Sequence, residues 1–215
     1  MKVRQHTLPR PQWSANSYWK PTISSFLILV ISLFIFGIGD ALLVLAHLGS
    51  TPWTVFAQGI AYQTHSHLSW VTFLIGVIVM ITWLPFRQKP GLGTVLNITL
   101  IPIAIAITLY LIPEPQQLTN KILFMLLGVL CTGVASAFYL TCHMGAGPRD
   151  GLMVGIFQMT GIKIGVIRTS IEALVCVLGW LLGGVVGIGT LAFAFGIGWI
   201  LQFTLVKVIQ PLIKK

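Results

Sequence analysis

Long apolar runs alternate with short polar breaks along the whole chain. A helix needs about 20 apolar residues to cross about 30 Å of hydrocarbon. Six runs meet that length, at 21–46, 68–86, 92–113, 121–143, 163–183 and 189–210. Two shorter pieces, 52–63 and 148–159, lie between the first and second runs and between the fourth and fifth. A dozen helical residues reach only about 18 Å, so each piece is re-entrant, interfacial or packed inside the bundle. The pattern predicts an all-α polytopic membrane protein with six transmembrane helices and two half-length helices.

The two halves repeat each other. Ala46-His47-Leu48-Gly49-Ser50-Thr51-Pro52 matches Cys142-His143-Met144-Gly145-Ala146-Gly147-Pro148, 96 positions later. Without a gap, Gly37 then meets Gly133, Gly59 meets Gly155, and Gly91-Leu92-Gly93-Thr94 meets Gly187-Ile188-Gly189-Thr190. Residues 37–94 against 133–190 give 13 identities in 58 positions. Such self-similarity reads as duplication. Each copy holds three full spans, an odd number, so the second copy enters the membrane from the opposite face. The expected plan is two inverted three-span repeats, 21–113 and 121–210, preceded by a basic arm at 1–20. In transporters built this way, Gly- or Pro-broken segments at matching places mark the binding site.

The broken segments have a local logic. Gly49 suits the left-handed turn that ends a helix. Thr51 can cap the next helix and Pro52 fits its first turn, followed by Trp53. Gly145, Gly147 and Pro148 repeat the arrangement. The free N–H groups of each new helix hold an anion or polar group if they face a cavity, and matter little if they face water. Both placements are compatible with the pattern. Trp53-Thr54 becomes Arg149-Asp150 in the second copy, which predicts an aromatic outer mouth and a charged inner one. Gly91, Gly93, Gly187 and Gly189, at the entries of equivalent spans, serve either close packing or hinge motion.

Composition excludes a soluble domain: 56% of the 215 residues are apolar and 8% charged, with a mean hydropathy of +0.93, where soluble domains carry about 25% charge. The net charge of +9 lies between apolar runs and reads as a topology signal rather than nucleic-acid binding. With six spans, Lys2, Arg4, Arg10, Lys20, Arg87, Lys89, Arg149, Lys163, Arg168, Lys207, Lys214 and Lys215 share one side, and Lys121 alone holds the other. That bias places both termini in the cytoplasm. The first run exceeds a leader's apolar stretch and is read as a retained span. Three cysteines in apolar runs form no disulfide framework.

Charges inside spans are functional candidates. Asp40 lies in the outer part of the first span and Glu172 near the middle of the fifth, with Arg168 four residues earlier on the same face. Arg168 and Glu172 form either a packing ion pair or part of a proton or substrate site. The counterparts of the two acids are Ser136 and Gly76, so neither belongs to the shared scaffold. Asp150 serves the helix dipole or a ligand. His47 and His143 suit the carbonyl ends of helices. His65 and His67 lack a third ligand, so no metal site is expected, and no phosphate loop or hydrolase motif is present.

The residues Gly145-Ala146-Gly147-Pro148-Arg149-Asp150-Gly151-Leu152-Met153, Gly165-Val166-Ile167-Arg168, Glu172, Gly179-Trp180-Leu181-Leu182-Gly183-Gly184 and Gly187-Ile188-Gly189-Thr190 resemble a bacterial family of integral membrane proteins, the YczE/YitT-like family. Gly49, Pro52-Trp53, Gly59, Lys89-Pro90-Gly91-Leu92-Gly93-Thr94 and Asn97 look similar in the first half. Where family members often carry an acid after Pro-Trp, this chain has Thr54. The resemblance covers about residues 22–210 and implies a bacterial cytoplasmic-membrane protein without a settled activity.

The functional expectation comes from the physical reading. It is a small secondary transporter or permease for a small solute, proton-coupled through Asp40 or Glu172, rather than an enzyme, and needing no cofactor. Its surroundings are the lipid bilayer, and a homodimer would widen a thin pathway. The alternative is a non-transporting accessory protein acting on a partner complex.

Overall fold

The computed structural model describes residues 10–213, all of whose regular elements are helical. Lys2, Arg4, Lys214 and Lys215, used above to orient the chain, lie outside the described residues. Eight main helices follow in order: α1 (Ile23–Ala46), α2 (Pro52–Thr64), α3 (Leu68–Ile81), α4 (Leu92–Leu111), α5 (Leu118–Thr141), α6 (Pro148–Thr160), α7 (Ile164–Leu181) and α8 (Ile188–Phe203). A π-helical turn, Thr204–Ile209, and a last α-helical turn, α9 (Gln210–Ile213), prolong α8.

Five of these segments are long and apolar enough to cross a membrane: α1, α4, α5, α7 and the Ile188–Ile213 continuation of α8. A sixth crossing is reached only when α2 and α3, bent by 118° at their junction, count together. The second run, 68–86 in the sequence, is therefore shorter as a helix than its apolar length implied. It stops at Ile81, and 14 residues rise only about 21 Å. Pro85 is the physical reason, since proline disfavours helical backbone before it. The chain from Thr82 to Arg87 turns instead and folds back over α6.

The helix starts follow from sequence. Thr22 and Ser25 cap α1 reciprocally, with N–H to hydroxyl distances of 2.8 and 3.1 Å. Thr51 Oγ1 accepts from the Thr54 N–H at 3.4 Å, and Pro52 opens α2. The ends differ from expectation in one detail. The left-handed residue that stops α1 is His47 itself (φ 54°), matched by His143 (φ 53°), and Gly49 and Gly145 take positive φ two residues later.

α1 and α5 form the centre. They cross where Gly39 and Gly128 face each other, and a Cβ on either would stand 2.8 Å from the other's carbonyl oxygen. Around this pair, α4 packs on α1 and α8 on α5; α2 packs on α7, and α3 on α4 and α6. Gly37 is filled by Ile101 and Ala104 of α4, as Gly133 is by Ile197 and Ile200 of α8. Large apolar side chains of α3, α7 and α8, such as Trp70, Trp180, Phe195 and Trp199, point outward, the surface a lipid solvent requires. Residues 13–15 of the arm are docked at the end of α5, and the Tyr18 carbonyl accepts from the Leu92 N–H at the start of α4 (2.9 Å). Ala15 N–H donates to the Cys142 carbonyl (3.0 Å), the Ser14 hydroxyl to that of Thr141 (2.7 Å), and Trp13 stacks on Phe138. These donors satisfy carbonyls that a helix end leaves unpaired.

Candidate functional site

Two pairs of backbone contacts position the broken segments. The Gly93 N–H donates to the Met144 carbonyl at 2.7 Å, and the Gly189 N–H donates to the Leu48 carbonyl at 2.7 Å. Gly91 and Gly187 lie against the same two carbonyls. A Cβ at Gly93 would stand 2.9 Å from the Met144 oxygen, so these glycines allow one chain to cross another at hydrogen-bonding distance. They act as cross-ties between the halves in this structure, rather than as loose joints.

The half-length helices are held by size matching. The Trp83 indole covers Gly151 of α6 and donates from Nε1 to the Pro148 carbonyl at 2.9 Å. Phe86 covers Gly155 in the next turn. On α2, Gly59 receives Leu182, and Val55 and Phe56 pack against Gly179 of α7. Gln63 Nε2 donates to the Leu182 carbonyl at 2.9 Å, and Gln58 Oε1 accepts from the Val185 N–H at 3.2 Å. Neither helix lies free at a surface.

Their N-termini converge on one cavity of about 130 Å³. Thr51, Pro52 and Trp53 line it from α2, and Gly147, Pro148, Arg149 and Asp150 from α6. The remaining wall comes from α1, α3, α4, α5, α7 and α8, and carries Asn97, Tyr139, Arg168 and Glu172. The expectation of two separate mouths is thereby corrected. Trp53 and Arg149 share the cavity, and the Arg149 guanidinium sits 5.2 Å from the centroid of the Trp53 ring, within cation–π range.

The charges fall into three groups. Arg168 Nε donates to Glu172 Oε1 at 2.9 Å, with side chains 45% and 22% exposed, so this i,i+4 pair is accessible rather than sealed. Arg149 has no carboxylate within 4.0 Å among the described residues. Asp40 is fully buried and outside the lining. Its Oδ2 accepts from the Thr54 hydroxyl at 3.3 Å, Thr54 shares a hydrogen bond of 2.7 Å with Thr51, and Oδ1 has no partner. Arg149 and Asp40 act on each other electrostatically. Thr54, the departure from the family pattern, thus supports the acid that this chain carries on α1.

The structure places Arg149, Asp150, Arg168 and Glu172 around the cavity, Asp40 behind it, and the broken motifs at its edge. Sequence reasoning named Asn97 only through the family resemblance, and missed Tyr139 and Trp83. Nothing marks Tyr139 in a run of apolar residues, whereas Trp83 before Pro85 was a readable signal for a chain that leaves its helix. No cluster of metal-ligating side chains occurs among the described residues. His47 Nε2 lies 3.2 Å from Glu114 in the loop after α4.

No solved structure matches this chain. An uncharacterised protein of Haemophilus influenzae is 50% identical over 205 residues, covering 95% of this chain and 94% of its own. The uncharacterised membrane protein YczE of Bacillus subtilis is 33% identical over 170 residues, 77% of each chain. The uncharacterised protein YyaS of Bacillus subtilis is 25% identical over 165 residues, 75% of this chain and 82% of its own. The model of a family of unknown function, DUF6198, matches residues 23–205. On that match and the YczE relationship, the chain is a membrane protein belonging to the DUF6198 family.

Proposed function

We propose that the chain is a small secondary permease that moves a small solute by alternating access, coupled to protons. Two inverted three-span repeats form it, in the bacterial cytoplasmic membrane with both termini in the cytoplasm. The observation that carries the reading is the contact between Trp53 and Arg149 at the cavity. They hold the same place in the two copies, 96 positions apart. Two copies related by a two-fold axis bring a residue onto its own counterpart only beside that axis. The cross-ties Gly93–Met144 and Gly189–Leu48 are counterparts as well. Inverted repeats with broken helices at a central site are a transporter plan.

One asymmetry supports motion. α3 packs along α4, but their counterparts α7 and α8 make no comparable contact. The gap leaves the Arg168–Glu172 pair accessible near the start of α7. A rocking carrier stopped with one side open presents this difference. In the opposite state the copies exchange arrangements, so α7 closes on α8 while α3 leaves α4. Asp40, acidic and enclosed, is the coupling acid.

A cross-link tests this reading. A Cβ at Gly76 would stand 3.7 Å from Ile98 Cβ, inside the range a disulfide needs, about 3.5–4.5 Å. With Cys131, Cys142 and Cys176 replaced, the Gly76→Cys/Ile98→Cys pair should lock α3 to α4. Proteoliposomes holding a pH-sensitive dye are challenged with a metabolite panel. A responding solute should lose its proton-coupled flux on oxidation and regain it on reduction. Undiminished flux in the oxidised protein overturns alternating access here. A chain that moves nothing yet co-purifies with a stoichiometric partner belongs to the accessory class.

A further inference from the structure

We infer that the central cavity binds a small monocarboxylate, whose anionic head is held by Arg149 and by the open N-terminus of α6. The inference deepens the permease reading by naming its substrate class, and rests on that reading only for the step of transport.

Four observations meet at this place. First, Arg149 presents a guanidinium to the cavity, over the Trp53 ring and with no carboxylate at ion-pair distance among the described residues. Its donors form a planar fork that fits a carboxylate in two parallel hydrogen bonds, and the indole holds that fork beside the cavity wall. Second, α6 begins at the cavity without a side-chain cap, because Gly147 stands where α2 has Thr51. Early N–H groups of a helix are donors without intrahelical partners and carry its positive end. Third, Trp53, 6% exposed and part of the cavity wall, has an Nε1 donor without an acceptor. A buried indole N–H normally finds one. Fourth, Asn97 lines the same wall beside Gly147, where its Nδ2 would lie 3.3 Å from a Cβ at that position. The site is rich in donors gathered on one small volume.

Three acids act on Arg149 through space, Asp40, Asp150 and Glu172, and none reaches it at ion-pair distance among the described residues. Glu172 is taken by Arg168. Asp150 sits in the first turn of α6 with Oδ2 3.4 Å from where a Cβ on Gly147 would stand, so its carboxylate shares the positive helix end with the ligand. Asp40 is outside the lining and engaged by Thr54. Size sets the rest. A cavity of about 150 Å³ holds a benzene molecule, so about 130 Å³ suits a carboxylate with an apolar tail of about three carbons. Ile75, Ile98 and Met153 offer that tail an apolar wall.

The probe is butyrate, with butyramide as its neutral equivalent and phosphate and chloride as other anions. Binding is measured on the purified full chain by scintillation proximity with labelled butyrate and by competition. Butyrate should bind and raise the melting temperature; butyramide should not compete. Arg149→Gln should weaken binding by about tenfold or more, and Arg149→Lys by less. Gly147→Ser supplies α6 with the cap that α2 already has, at a backbone conformation (φ −63°, ψ 159°) open to serine, with its Cβ 3.1 Å from the Tyr139 hydroxyl and 3.4 Å from Asp150 Oδ2. It should weaken butyrate binding, and the melting temperature without ligand, measured alongside, separates lost recognition from lost folding. Arg87→Gln, outside the cavity, should change neither. Equal competition by butyramide, binding intact in both Arg149→Gln and Gly147→Ser, or preference for phosphate or chloride over butyrate overturns the inference. If butyrate binds through Arg149 but no flux occurs, the permease reading falls and the site remains. If another solute is transported and butyrate does not bind, the reverse holds.

Discussion

At the residue scale, the decisive groups are those whose partners come from another helix. Asp40 illustrates this: its support is Thr54, 14 positions away on a different helix. Asp40→Asn keeps the shape and the hydrogen-bonding capacity but removes the charge. The expected outcome is a folded protein with a normal melting temperature that has lost the pH-driven component of uptake in proteoliposomes. Glycine 39 makes a different demand. Gly39→Leu would force a side chain against the Gly128 carbonyl and the Thr132 methyl, each 2.8 Å from its Cβ. Overpacking of this kind costs about 1–3 kcal/mol, and thermal unfolding in detergent should show a clear fall. At this scale the sequence was partly legible. Asp40, Glu172 and Arg149 stood out because charge is rare in apolar runs. Tyr139 did not, since a hydroxyl becomes special only through what folds against it, and Thr54 stood out only as a departure from the family pattern, not as the partner of Asp40.

At the element scale, apolar length overstates helix length wherever a proline or a turn residue intervenes. The 68–86 run holds a 14-residue helix plus a returning segment whose Trp83 and Phe86 cover α6. Trp83→Ala should therefore loosen α6 rather than α3. Hydrogen exchange or cysteine labelling of Met153→Cys should report faster access there, and a melting loss of about 3–5 kcal/mol equivalent follows from deleting so large a buried side chain. The half-length helices themselves were visible from Gly, Thr and Pro spacing. Their location was not, because caps and turns are local signals and carry no information on depth. Gly93 shows the same limit: its recurrence at Gly189 was readable, but the carbonyl of the opposite half that requires it was not. Gly93→Ala should destabilise the folded protein, as a Cβ there would stand 2.9 Å from the Met144 oxygen.

At the scale of the whole molecule, the membrane class was fixed by composition, and the helix order largely by periodicity. The number of crossings was less secure, because a sixth is reached only when the bent pair α2 and α3 is counted together. Topology has a direct check. Single cysteines near Lys89 and Lys163 should be protected from a membrane-impermeant maleimide added outside intact cells, while one beside Lys121 should react. Labelling near Lys89 and Lys163 with protection beside Lys121 would reverse the proposed orientation. The arm was read only as a basic segment, yet residues 13–15 close the end of α5. Such contacts between distant parts escape any pattern confined to neighbours.

The Trp53–Arg149 contact has a consequence for how such a chain could diverge. In a perfectly symmetric assembly the residue beside the axis meets an identical twin. Two arginines there would repel, and two tryptophans would crowd out the hollow. Only unlike side chains can stack there, so specialisation at this single position is open to two diverged copies and closed to two identical subunits.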